Sequence, residues 1–123
     1  MMQPPTVYVV DDEAAIRSSL RALLQVWGFS ATTFGSAEEF WEAYSDAWTG
    51  LLLVDLRLPG KSGLELLEEL QCRNTHLTAI LMTGHGEQEV LHLLEERGAI
   101  GALSKPFHFH ELKRFVDGYL QRE

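Results

Sequence analysis

Apolar residues fall into two patterns that alternate along the chain. Unbroken runs occupy residues 7–10, 51–54 and 79–82, with weaker ones near 31–34 and 101–103. Runs that are apolar at every position suit parallel strands covered on both faces. Between them the apolar residues recur with the period of a helix. Ile16, Leu20, Leu23, Leu24 and Trp27 form one such stripe, stopped at Gly28. Ala37, Phe40, Trp41 and Tyr44 form a second, after Ser36, which has capping-box spacing to Glu39. Ser62 and Glu65 repeat that spacing before Leu66, Leu67 and Leu70. Val90, Leu93, Leu94 and Arg97 predict a fourth helix closed by Gly98, and Leu112, Phe115, Val116, Tyr119 and Leu120 a last one.

A strand followed by a helix, five times over, predicts an α/β fold with a parallel sheet between two layers of helices. Right-handed crossovers leave few topologies, and the simplest is a doubly wound five-stranded sheet in the order 2-1-3-4-5. Ligands on such sheets bind at the carboxyl ends of the strands, beside the switch point between strands one and three.

Composition narrows the picture. The chain has 123 residues, which suits one domain of the common ~100–150-residue size. Eighteen acidic residues against ten Lys and Arg give a net charge of −8. That excess repels phosphate backbones and anionic lipid, so direct nucleic-acid or membrane binding by this chain is not expected. The single Cys72 excludes an internal disulfide and a Cys-rich zinc site. The start lacks the basic flank and apolar core of a signal peptide, and the strand-like runs fall far short of the ~18 residues of a membrane span. A cytoplasmic protein is the expectation.

The residues that end the apolar runs carry the chemistry. The first run ends in Asp11-Asp12-Glu13, the third in Asp55, the fourth in Thr83-Gly84-His85-Gly86 and the fifth in Ser104-Lys105-Pro106-Phe107. With strands one and three adjacent, Asp11, Asp12 and Asp55 converge. Two like charges ~4 Å apart repel by about 4 kcal/mol at an effective dielectric of about 20, so such a cluster raises its own pKa values or recruits a cation. All-oxygen ligands favour a hard ion, and few carboxylates suit Mg²⁺, which keeps several waters. Lys105 adds a fixed positive charge, Thr83 a hydroxyl, and Gly84 room for an approaching group. The set suits a tetrahedral anion.

These motifs resemble the receiver domain of two-component response regulators. The resemblance rests on Val9-Val10-Asp11-Asp12-Glu13, on the segment from Leu53 to Gly60 that contains Asp55, on Met82-Thr83-Gly84 and on Lys105-Pro106-Phe107. It spans essentially the whole chain, read as one receiver domain over 1–123 without an output domain. The Thr83-Gly84-His85-Gly86 turn and residues 58–67 are most similar to the FixJ-like branch, whose members join a receiver to a C-terminal helix-turn-helix DNA-binding domain. The resemblance implies that Asp55 accepts a phosphoryl group from a sensor histidine kinase. It implies that Asp11, Asp12, Asp55 and the backbone carbonyl of Arg57 hold Mg²⁺, that Thr83 and Lys105 bind phosphoryl oxygens, and that the Lys105–Pro106 bond is cis. The output would be dimerisation or control of transcription, with a homodimer formed through the fourth helix, fifth strand and last helix.

Two features depart from the family pattern. Ala102 stands three residues before Lys105, where many receivers carry Tyr or Phe. The predicted fourth helix carries Glu87, Glu89, Glu95 and Glu96 against Arg97 alone, which would select a basic partner or disfavour self-association at low salt. Elsewhere bland readings prevail. His108, His110 and Glu111 read as a solvated helix start, Cys72 as an incidental thiol, and Trp27, Trp41 and Trp48 as packing residues. His85 and Arg57 stand at the pocket mouth, where tuning of dephosphorylation and simple solvation are both open readings. An alternative function is a Mg²⁺-dependent phosphohydrolase with an aspartyl nucleophile. Such enzymes use a second aspartate two residues on, where this chain has Arg57. A flavodoxin-like carrier is disfavoured because Asp11-Asp12-Glu13 would repel a flavin phosphate.

Overall fold

Every strand expected from an apolar run forms, and each extends past its run, as in β4, where the pairing continues through His76 at one end and Thr83 at the other. The computed structural model describes residues 6–84, 99–105 and 108–120. In chain order these form β1 (Thr6–Val10), α1 (Ala14–Val26), β2 (Ser30–Phe34), α2 (Ala37–Ala43), β3 (Thr49–Asp55), α3 (Gly63–Cys72), β4 (His76–Thr83), β5 (Ala99–Ser104) and α4 (Phe109–Leu120). The helix expected over 90–97, its acidic residues, His85 and the Lys105–Pro106 bond lie outside the described residues.

The five strands are parallel and ordered β2-β1-β3-β4-β5, as expected. Side chains alternate across the sheet. Val7, Val9, Leu51, Leu53, Ile80 and Met82 pack with Leu20 and Leu24 of α1 and Leu112 and Val116 of α4. Tyr8, Val10, Leu52, Val54 and Leu81 pack with Phe40 of α2 and Leu66, Leu67 and Leu70 of α3. Leu51, Leu52, Leu53 and Val54 are all fully shielded from solvent. Burying each such side chain stabilises by roughly 1.5–3 kcal/mol, and all four belong to β3, the central strand of the five.

The helix ends follow their local signals. Gly28 adopts φ +91°, and the N–H groups of Gly28 and Phe29 donate to the carbonyls of Gln25 and Leu24. This left-handed closure ends α1 where the glycine predicts it. At α3 the Ser62 hydroxyl accepts from Glu65 N and the Glu65 carboxylate accepts from Ser62 N, a complete capping box. At α2 only half of it forms. Ser36 accepts from Glu39 N, but the Glu39 carboxylate accepts from Gly35 N instead. Tyr44 falls just beyond α2 as its C-cap.

The tryptophans pack as read. Trp48 stacks on Tyr8 with ring centroids 4.4 Å apart, and Trp41 donates its indole N–H to Glu69 beneath the Arg73 guanidinium. Trp27 joins the α1–α4 side of the core. Among the described residues no helix is long and apolar enough to cross a membrane.

Candidate functional site

Strand register brings the strand-end residues together. Val10 pairs with Val54, Asp55 with Met82, and Thr83 with Ser104. Asp11 and Asp55 therefore stand side by side one step beyond an apolar row, with Thr83 and Lys105 across from them. The ladders continue into the loops, since Leu56 N donates to Met82 O at 2.9 Å and Lys105 N to Thr83 O at 2.7 Å.

Lys105 bridges two carboxylates. Its Nζ lies 2.7 Å from Asp11 Oδ2 and 3.1 Å from Asp55 Oδ2, with Glu13 Oε1 at 3.9 Å. The second oxygens of both aspartates are held by main-chain N–H groups. Glu13 N donates to Asp11 Oδ1 at 2.9 Å and Arg57 N to Asp55 Oδ1 at 3.1 Å. Asp11 is fully buried and Asp55 nearly so. Burial pushes the Asp55 carboxyl above its ordinary range; the Arg57 N–H and Lys105 oppose this, and the Asp11 charge adds to it. Burial alone would lower the Lys105 ammonium, but its hydrogen bonds to Asp11 and Asp55 and their charges win, and its pKa rises. Lys105 is thus held charged.

Carboxylate oxygens of Asp11, Asp12 and Asp55 lie within 4.8 Å of one another. This is a hard, all-oxygen donor set, and it fits Mg²⁺ with several retained waters.

The sequence profile of the family described as "Response regulator receiver domain" matches residues 7–117. The chain belongs to this family. The receiver is 43% identical over 101 residues to the transcriptional regulatory protein FixJ of Azorhizobium caulinodans, covering 82% of this chain and 48% of that protein. It is 34% identical over 116 residues to FixJ of Bradyrhizobium diazoefficiens, covering 94% and 57%. The structure of the response regulator StyR superposes with a TM-score of 0.89 at 37% identity, covering 96% of this chain and 60% of that one. The chain thus spans about half the length of the curated relatives it matches.

Not every expected site residue joins the cluster. Asp11, Asp55 and Lys105 are linked directly, and Asp12 stands exposed beside them. The buried Thr83 turns its hydroxyl towards Leu103 O at 3.4 Å; among the described residues it makes no hydrogen bond to the carboxylates. Arg57 touches Asp55 through its N–H. Ala102 packs against the α2–α3 cluster and Phe115 against the α1–α4 cluster beside Gly101, and the two line a shared cleft with Glu111 and Arg114. His108, His110 and Glu111 are exposed at the start of α4.

Two contributors escape sequence reading. Arg17 donates to the main-chain carbonyl of Asp11, and Gly63 lies so close to Asp55 that a Cβ there would sit 2.4 Å from the Asp55 carbonyl oxygen. A glycine at the first position of a helix is a weak signal of close approach. Periodicity does not separate Arg17 from Arg21.

Proposed function

We propose that this receiver is the phosphoacceptor module of a two-component transcriptional regulator. Asp55 takes a phosphoryl group from the phosphohistidine of a sensor histidine kinase, with Mg²⁺ held by Asp11, Asp12, Asp55 and the main-chain carbonyl of Arg57. The observation that carries this reading is the placement of Asp55. It is a shielded carboxylate at a strand end, 3.1 Å from Lys105 Nζ and clustered with two further carboxylates.

The geometry supports in-line transfer in which positioning and charge do most of the work. Burial makes the Asp55 carboxylate more basic, hence a better nucleophile. As its Oδ–P bond forms, the P–N bond to the donor imidazole breaks, and the imidazole leaves with a proton from solvent. Lys105, held charged, compensates the developing phosphoryl charge. The Thr83 hydroxyl, held among the described residues by a long 3.4 Å contact, is free to turn towards a phosphoryl oxygen. Bound Mg²⁺ would supply neutralisation of the carboxylates and phosphoryl oxygens.

The relatives' greater length and their names as transcriptional regulatory proteins support an appended C-terminal DNA-binding domain in a longer parent. Dimerisation through β5, α4 and the residues before β5 is the proposed response. The test is incubation with acetyl phosphate and Mg²⁺, read by intact mass. One phosphoryl group is expected on the wild type, and none on Asp55→Asn or with chelator. Stable labelling of Asp55→Asn, or none of the wild type, would overturn the reading. Steady phosphate release from simple monoesters would favour the phosphohydrolase.

A further inference from the structure

We propose that Arg17 is a positioning residue for the carboxylate cluster, acting through the peptide that joins Asp11 to Asp12. The inference rests on the reading of that cluster as a Mg²⁺ site. Asp11 and Asp12 are fixed in very different ways. Asp11 is held at every polar atom: its N donates to Phe34 O at 3.1 Å, Oδ1 accepts from Glu13 N and Oδ2 from Lys105. Asp12 is exposed, and among the described residues its side chain has no hydrogen bond or ion pair. Its place in the cluster is therefore set by its main chain.

That main chain is gripped by Arg17. The guanidinium Nη1 donates to the Asp11 carbonyl at 2.7 Å, a short charge-assisted bond. The carbonyl belongs to the Asp11–Asp12 peptide plane, so holding it restricts the rotations that aim the Asp12 carboxylate. Arg17 also lies one turn into α1, where its own N–H donates to Glu13 O at 3.1 Å. It thus ties both ends of the three-residue acidic loop to the helix. Gly35 lies beside this reach, where an added Cβ would meet Arg17 Nη1 at 3.4 Å, an ordinary contact, and Glu39 Oε2 at 3.1 Å. Arg21, one turn further on, donates to Thr33 Oγ1, and among the described residues it has no hydrogen bond or ion pair to the loop.

The two arginines provide a matched pair for the test. Arg17→Met and Arg21→Met each remove one positive charge from a chain of net charge −8. Long-range electrostatics therefore strengthens Mg²⁺ binding in both. Loss of positioning weakens it in Arg17→Met alone, by about 10-fold on the scale of outer-shell ligand partners. Titration calorimetry of the chain with MgCl₂ at constant ionic strength reads this directly. Arg17→Lys, which keeps the charge and one reaching donor, is expected to recover most of the affinity. At saturating Mg²⁺ the acetyl phosphate labelling rate of Arg17→Met should return towards the wild type. If Arg17→Met does not unfold cooperatively, Arg17→Gln, too short to reach the carbonyl, takes its place with the same expectation. Binding by these variants as tight as by Arg21→Met overturns the role of Arg17 while leaving the Mg²⁺ site standing. A wild type that binds no Mg²⁺, or binds it undiminished after Asp11→Asn and Asp55→Asn, overturns both.

Discussion

Asp55 is a carboxylate at the end of a strand that is apolar on both faces, and that position has a cost measurable by pH. Burial raises its pKa, and the hydrogen bonds from Arg57 N and Lys105 offset only part of the rise. A carboxyl raised in the folded state binds its proton more readily there than in the unfolded chain. Stability therefore falls as pH rises from the unfolded value, about 3.9, through the higher folded one, and the loss persists above it. Asp55→Asn removes that term. Its thermal midpoint is expected to exceed the wild type's by a few degrees at pH 7, with the gap closing as pH drops towards 4. A gap independent of pH would show that the carboxylate is not strained by burial. Lys105 acts in the opposite sense. Its raised pKa makes its stabilisation fully present at neutral pH and lost only above the ordinary lysine range.

At the scale of elements, α3 shows how a helix start can serve the residue that precedes it. Ser62 and Glu65 close its N-terminus reciprocally, and Gly63 lets the first turn pass against the strand end. A Cβ at Gly63 would stand 2.4 Å from Asp55 O and 2.9 Å from Leu56 Cα, and both atoms are main chain. Two effects compete in Gly63→Ala. Helix propensity favours alanine by about 1 kcal/mol, while overpacking against atoms that cannot swing aside costs roughly 1–3 kcal/mol. The steric cost wins because the obstacle is backbone, so the urea midpoint is expected to drop. Acetyl phosphate labelling is expected to slow with it, because the displaced peptide carries Asp55. A variant as stable as the wild type would mean that the helix shifts without cost. The same capping spacing at Ser36 and Glu39 yields only half a box, because Gly35 offers its N–H to the Glu39 carboxylate.

For the molecule as a whole, a cation that binds only the folded chain adds stability by mass action. The gain is about 2.7 kcal/mol at a concentration 100 times the dissociation constant. Mg²⁺ is therefore expected to raise the thermal midpoint in a saturable manner, and Asp11→Asn to remove most of the rise. An equal rise in Asp11→Asn would point to a general ionic effect on an acidic surface. The sequence by itself determined the alternation of strands and helices, the central place of the run Leu51 to Val54, the helix stop at Gly28 and the acids at the strand ends. All of these are written in the spacing of apolar residues or in neighbours a few positions apart. Only the tertiary structure decided that Asp11 and Asp55 share Lys105, that among the described residues Asp12 has no side-chain hydrogen bond or ion pair, that the Thr83 hydroxyl turns to Leu103, and that Arg17 and Gly63 meet main-chain atoms of Asp11 and Asp55. Periodicity reports which face a residue buries. Contacts between a side chain and a main-chain carbonyl, or between two backbones, depend on how helices settle on the sheet, and they leave no period in the chain.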